Sequence, residues 1–265
     1  MEPFHKLPDC ISFRTMLKSL MVYYLILTTI PVAIVSAFFI HWFTLQEEPN
    51  PLKRLEHSRG IYLGFSFQIL LFAWLLFQLG HARFSFPLYA IGFSFLGDWF
   101  NLQFPIAKKQ MEDPVLGGIF SFAIAQVFFL FSFWKLTSWN EIYTEVLPYA
   151  ITGALLILPA VIFYFRVYNP KRSKWVMASA FVYGLVLCFF VSLCLNAYLA
   201  FGGVWIYLAI GAGFFLLSDA VMGETTINGT RHPKWEFQVP WVTYLIAQSF
   251  LLIGFFLVSH TRHLV

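Results

Sequence analysis

The sequence predicts an all-α fold, a polytopic membrane bundle of about eight transmembrane helices, and three observations predict it. Hydrophobic residues make up 59% of the 265-residue chain and charged residues only 11%, whereas an ordinary soluble domain carries about 25% charge. The mean hydropathy is +0.72. The apolar residues also gather into runs of membrane length, since a hydrocarbon core of about 30 Å takes about 20 helical residues. These runs lie near 20–43, 61–79, 86–104, 115–134, 148–168, 175–195, 203–222 and 240–259.

The first run follows a mixed segment containing Lys6, Arg14 and Lys18. It is longer than the roughly 7–15 apolar residues of a cleavable signal core, although Val35-Ser36-Ala37 loosely mimics a cleavage site, so it reads as a retained span. The connections are marked by Glu47-Glu48-Pro49-Asn50-Pro51, His81-Ala82-Arg83, Lys108 to Pro114, Asn169-Pro170-Lys171-Arg172 and the longer Gly223 to Val239. Pro31 and Pro159 fall inside spans, where neighbouring helices satisfy the carbonyl groups that proline frees and a kink results. No connection is long enough for a second domain, and residues 1–265 read as one integral membrane domain.

Of the 17 Lys and Arg residues, the odd-numbered loops hold the larger share, which by the positive-inside tendency turns those loops to the cytoplasm. The expected place is the inner membrane of a bacterial cell or the endoplasmic reticulum of a eukaryotic one. The formal net charge of +4 is spread through short loops; no basic patch with interleaved aromatics points to nucleic acid, and the expected partner is the bilayer. Cys10, Cys188 and Cys194 lack metal-ligand spacing and read as small apolar side chains.

Two acids interrupt the apolar runs: Asp98 in Gly92-Phe-Ser-Phe-Leu-Gly-Asp-Trp-Phe100, and Asp219 in Gly213-Phe-Phe-Leu-Leu-Ser-Asp-Ala220. An ionisable group inside a membrane helix costs a few kcal/mol or more and marks a pair, a polar cavity or chemistry. The third and seventh spans run in the same direction. Counted at 1.5 Å per residue from their shared exit side, Asp98 lies about 9 Å deep and Asp219 about 5 Å. Spans four, six and eight enter from that side and bring Tyr244 to about 6 Å, Tyr183 and Gln248 to about 12 Å, and Gln126 to about 17 Å. These groups are expected to line one polar cavity open to the odd-loop face. Ser94 stands four residues before Asp98, and Tyr244 four before Gln248, so each pair shares a helix face on which it can hydrogen-bond. The competing reading is that Ser, Tyr and Gln merely bridge helices or sit at headgroup level.

Other chemistries lack their residues. Gly92-Phe93-Ser94-Phe95-Leu96 lacks the last glycine of a nucleophile elbow. No His-Glu-x-x-His occurs, and Walker and dinucleotide glycine motifs are missing. The histidines lie near span ends, in loops or in the C-terminal tail, and neither a cofactor nor a metal site is expected.

Three motifs carry a family resemblance. Phe95-Leu96-Gly97-Asp98 resembles the small-Gly-Asp motif of the YhhN/TMEM86 family of membrane lysoplasmalogenases. The run from Gly211 to Ser218-Asp219 is similar to its glycine-led second motif, and Tyr244-Leu-Ile-Ala247-Gln248 to its Tyr-x-x-Ala-Gln in the last helix. The likeness spans about Phe86 to Phe256. In the fourth span Gly118, Phe122 and Ala125 fit the family pattern, while Gln126 stands for its His and Phe129 for its Tyr; the first two spans match poorly.

The resemblance implies a hydrolase that takes a lysophospholipid and cleaves the vinyl ether of a lysoplasmalogen to a fatty aldehyde and a glycerophospho-alcohol. It implies Asp98 and Asp219 as the acid–base pair, with Tyr244, Gln248, Gln126, Tyr183 and Ser94 positioning substrate or water. Paired carboxyl groups suit such a reaction, since one can hold a proton while the other stays ionised. Two rivals from other classes are a proton-coupled transporter or lipid-binding membrane protein, which would equally place acids in the membrane, and an intramembrane aspartyl protease. The protease motif wants Gly-x-Gly-Asp and Tyr-Asp, where this chain has Phe95 and Ser218.

Overall fold

The computed structural model describes residues 29–41, 51–80, 84–111, 113–230 and 238–261. Cys10, the basic residues before the first span, the first part of that span and residues 231–237 of the seventh loop lie outside them. The described residues are helical apart from short connections, without a strand. Ten helices follow one another: α1 (Thr29–His41), α2 (Pro51–Gly80), α3 (Ser85–Asn101), α4 (Pro105–Gln110), α5 (Pro114–Leu136), α6 (Trp139–Ile142), α7 (Val146–Ile162), α8 (Lys174–Phe201), α9 (Trp205–Met222) and α10 (Gln238–Thr261). Among the described residues six helices are long and apolar enough to cross a membrane; α3 has 17 residues, and α1 is a shorter apolar helix. The chain is thus a multi-pass membrane bundle whose helices stand at the eight predicted places.

The ends differ from expectation for local reasons. α3 stops at Asn101 rather than near 104, because Gln103 turns left-handed (φ 51°) and Phe104 is extended ahead of Pro105. α2 reaches back to Pro51, so part of the predicted first loop is helix. α5 starts where Asp113 accepts a hydrogen bond from the Val115 backbone N–H (3.1 Å) and Pro114 takes the first helical position. α7 and α9 each run on into a wide π-helical turn, Phe163–Val167 and Gly223–Asn228.

With no hydrophobic drive between helices in lipid, close packing depends on small residues at the contacts. The first motif shows this. A methyl group at Gly97 would lie 2.7 Å from the Phe122 ring, and one at Gly118 would lie 2.2 Å from Asn101 Oδ1, so α3 and α5 pack at these glycines. The second motif does the same between α9 and α10: a methyl group at Gly211 would meet the Leu251 backbone nitrogen at 2.8 Å, and one at Gly254 would meet Leu208 at 2.7 Å. Backbone cannot move aside as a side-chain tip can. Gly211→Val is expected to cost about 1–3 kcal/mol of stability, read as a lower melting temperature in detergent.

The core is aromatic. Phe129 stacks on both Phe190 and Phe255, each at 5.7 Å, which joins α5, α8 and α10. α2 packs outside α3 and α10, with Tyr62 stacked on Trp241 at 5.0 Å. α7 stands apart: only 6% of its span is buried, and it packs mainly on α8.

Candidate active site

Asp98 and Asp219 each stand three residues before the end of their helices, α3 and α9. Asp98 is 4% exposed. Its Oδ2 accepts two hydrogen bonds, one from Ser66 of α2 and one from the Tyr244 hydroxyl of α10 at 2.7 Å. Asp219 is half-buried, and its Oδ2 accepts from the Tyr183 hydroxyl of α8. The neighbouring Ser218 donates to the Pro240 carbonyl at 2.8 Å, tying α9 to the first turn of α10. One residue further on, about 100° round a helix, Asp219 is turned towards α8.

The two carboxyl groups line one narrow cleft with free space of only about 10 Å³, walled also by Asn101, Phe122, Met222, Trp241 and Tyr244. Asp219 lines a second, larger cavity of about 100 Å³ as well, between α5, α7, α8 and α9. Its walls are mostly apolar: Val115, Ile119, Phe122, Pro159, Leu187, Cys188 and Leu216 surround the one acid and the Tyr183 hydroxyl. Asn101, Phe122, Asp219 and Met222 are shared walls, so the polar cleft and the apolar cavity adjoin at Asp219.

The sequence-predicted residues sort into two levels. Asp98, Asp219, Tyr244 and Tyr183 meet in two acid–tyrosine pairs; Tyr183 reaches Asp219 although its backbone starts deeper, because its long side chain spans the difference. Gln126 lies beside the Tyr183 hydroxyl and Gln248 beside that of Tyr244, and neither amide touches a carboxyl. The ring pairs Phe122–Tyr244 (6.0 Å) and Phe129–Phe255 (5.7 Å) bracket both glutamines in depth. Phe93 stacks on Phe128 (5.5 Å) and Gly97 faces Phe122, which sets Ser94 level with Gln126.

Ser94 therefore does not hold Asp98. Although the two share a helix face, the Ser94 hydroxyl has no hydrogen-bond partner among the described residues, and the hydroxyl at the carboxyl comes instead from Ser66 on a neighbouring helix. Ser94, Gln126 and Gln248 are fully buried, and their polar side-chain atoms have no hydrogen-bond partner among the described residues. Each such atom costs about 1–3 kcal/mol. Gln126→Leu is accordingly expected to raise the melting temperature while lowering turnover, a combination that a purely structural glutamine would not give.

Ser66, Asn101 and Trp241 were not legible as site residues. Asn101 follows Asp98 at i+3 on the same helix face, a spacing that would have found it. Nothing in the second span distinguishes Ser66 from Ser58; the packing of α2 against α3 and α10 does so. Glu224, just past α9, pairs with Arg166 at 3.0 Å rather than standing free at the cavity mouth.

No curated protein and no solved structure matches the chain significantly. A family model, described as the YhhN family, matches residues 63–255. That range holds both acids, their three hydroxyl donors and all three motifs, and the chain belongs to the YhhN family.

Proposed function

We propose that this protein hydrolyses the vinyl ether of lysoplasmalogens, releasing a fatty aldehyde and a glycerophospho-alcohol. The carrying observation is the adjoining pair of spaces: a cleft with two carboxyl groups and an apolar cavity share Asp219 as a wall. An alkenyl chain suits the cavity, and its ether terminus then lies at the acids. Membership of the YhhN family, associated at family level with membrane hydrolases, supports the same reading.

The chemistry follows from the positions. Asp219, which faces the apolar space with one hydroxyl donor, acts as general acid and protonates the outer alkene carbon; the π bond becomes the new C–H bond and an oxocarbenium ion forms. Asp98, on which two hydroxyl donors converge, is suited to the carboxylate role. It takes a proton from water as the water oxygen adds to the cation, giving a hemiacetal. As the hemiacetal collapses, Asp219 accepts the hydroxyl proton and Asp98 returns its proton to the departing glycerol oxygen. Both acids are restored. Tyr183 and Tyr244 hold the carboxyl groups, and Gln126, Gln248 and Ser94, whose polar atoms have no partner among the described residues, position water or substrate from the layer beneath.

The test is aldehyde release from lysoplasmalogen by purified protein in detergent or proteoliposomes, alongside peptide cleavage and proton-coupled uptake. Aldehyde with neither of the others is expected. Peptide cleavage or uptake without aldehyde would replace this reading by the corresponding rival.

A further inference from the structure

We propose that Arg172, with Arg166 beside it, receives the phosphate of a lysophospholipid at the mouth of the apolar cavity. This rests on reading that cavity as the lysophospholipid site. The mouth is built where the two π-helical turns meet, and such wide turns recur at functional sites. Val167 of one turn and Gly223, Thr226 and Ile227 of the other line the cavity's end.

Both guanidinium groups are tied to this rim. Arg172 donates from Nη1 to Asp113 Oδ2 (3.3 Å) and from Nη2 to the Thr226 carbonyl (2.7 Å). Arg166 donates from Nη1 to Glu224 Oε1 (3.0 Å). A guanidinium carries about five donors in a rigid fork, so each keeps several to spare after these contacts. Their side chains are 36% and 65% exposed, leaving the spare donors open to a ligand. The acids at the rim orient the cations without cancelling them, since exposed Lys171 and Lys174 add to the positive side. A planar, oriented fork is what recognises phosphate in two-point fashion.

The distance along the cavity also fits. From Asp219 to Thr226 the helix and its wide turn advance about 10 Å, close to the extended reach from the outer alkene carbon through the ether oxygen and the glycerol to the phosphorus. With the phosphate at Arg172, the ether reaches Asp219 and the chain points towards Leu187 and Cys188 at the deep end.

The experiment compares binding of a non-hydrolysable 1-O-alkyl lysophospholipid with that of 1-O-alkylglycerol, which lacks the phosphate, to wild-type protein and to Arg172→Gln and Arg166→Gln. Arg172→Gln is expected to weaken the phospholipid about tenfold or more and leave the alkylglycerol unchanged, with a smaller selective loss for Arg166→Gln. In turnover the same variants should raise KM with kcat preserved, and Arg172→Lys should recover part of the loss. Because Arg172 also braces the rim, melting curves accompany each variant, and Arg166→Gln tests the proposal should Arg172→Gln fail to fold. Equal weakening of both ligands, or of neither, overturns the phosphate site. Displacement of the lipid by inorganic phosphate alone as effectively as by glycerophosphoethanolamine would assign a free-anion site instead, and also overturns it. Phosphate discrimination without aldehyde release refutes the hydrolase reading alone; aldehyde release without discrimination refutes this one alone.

Discussion

Asp98→Asn and Asp219→Asn should each abolish measurable aldehyde release while leaving the protein folded. Asparagine has the same shape as aspartate and can still accept a hydrogen bond, so the tyrosine and serine contacts largely survive. It can neither give a proton to an alkene carbon nor take one from water. General acid–base steps contribute about 10²–10⁴-fold each, and in each variant one of the two is removed. Because the acids act in one cycle, the double variant should be no worse than either single one. Stability should move the other way: a buried carboxyl is costly in a membrane protein, so melting temperatures should hold or rise. Near-wild-type turnover in either variant would sink the dyad, and loss of folded protein would mark the acids as structural.

The second large effect is expected at the tyrosines. Tyr183→Phe strips Asp219 of the one hydroxyl donor it has among the described residues, whereas Tyr244→Phe leaves Asp98 the Ser66 hydroxyl. A hydrogen bond to a charged group is worth about 1.5–3 kcal/mol, which corresponds to roughly 10–100-fold in rate. Tyr183→Phe should fall in that range in kcat with KM little changed. Tyr244→Phe should lose less alone, and Ser66→Ala combined with Tyr244→Phe should lose more than the product of the single losses. Strict additivity of the two would show that they do not share Asp98.

The helices and the acids were legible because lipid simplifies the code: a run of about 20 apolar residues has few alternatives, and an acid inside such a run is conspicuous. Depth counting then brought Asp98, Asp219, Tyr183 and Tyr244 together, since helical rise converts sequence distance into position along the membrane normal. Rotation about the helix axis was less legible. Ser94 shares a helix face with Asp98, yet the hydroxyl that reaches the carboxyl is Ser66, placed by the packing of α2 against α3. The glycines explain why: Gly97, Gly118, Gly211 and Gly254 set how closely α3 meets α5 and α9 meets α10, and these contacts settle which polar groups touch. The π-helical turns were not foreseen, because no apolar period announces one extra residue in a turn.

The thin packing of α7, of whose span only 6% is buried, bears on how turnover ends. The apolar cavity has this thin wall on one side and the polar rim of Arg166 and Arg172 on another. In the proposed reaction, the two products of ether cleavage have opposite solubilities and two different exits. The aldehyde can pass sideways into the bilayer past α7, and the glycerophospho-alcohol can leave across the rim into water. Partition between two phases would then keep the products from meeting again, making the reaction one-way without any further input of energy.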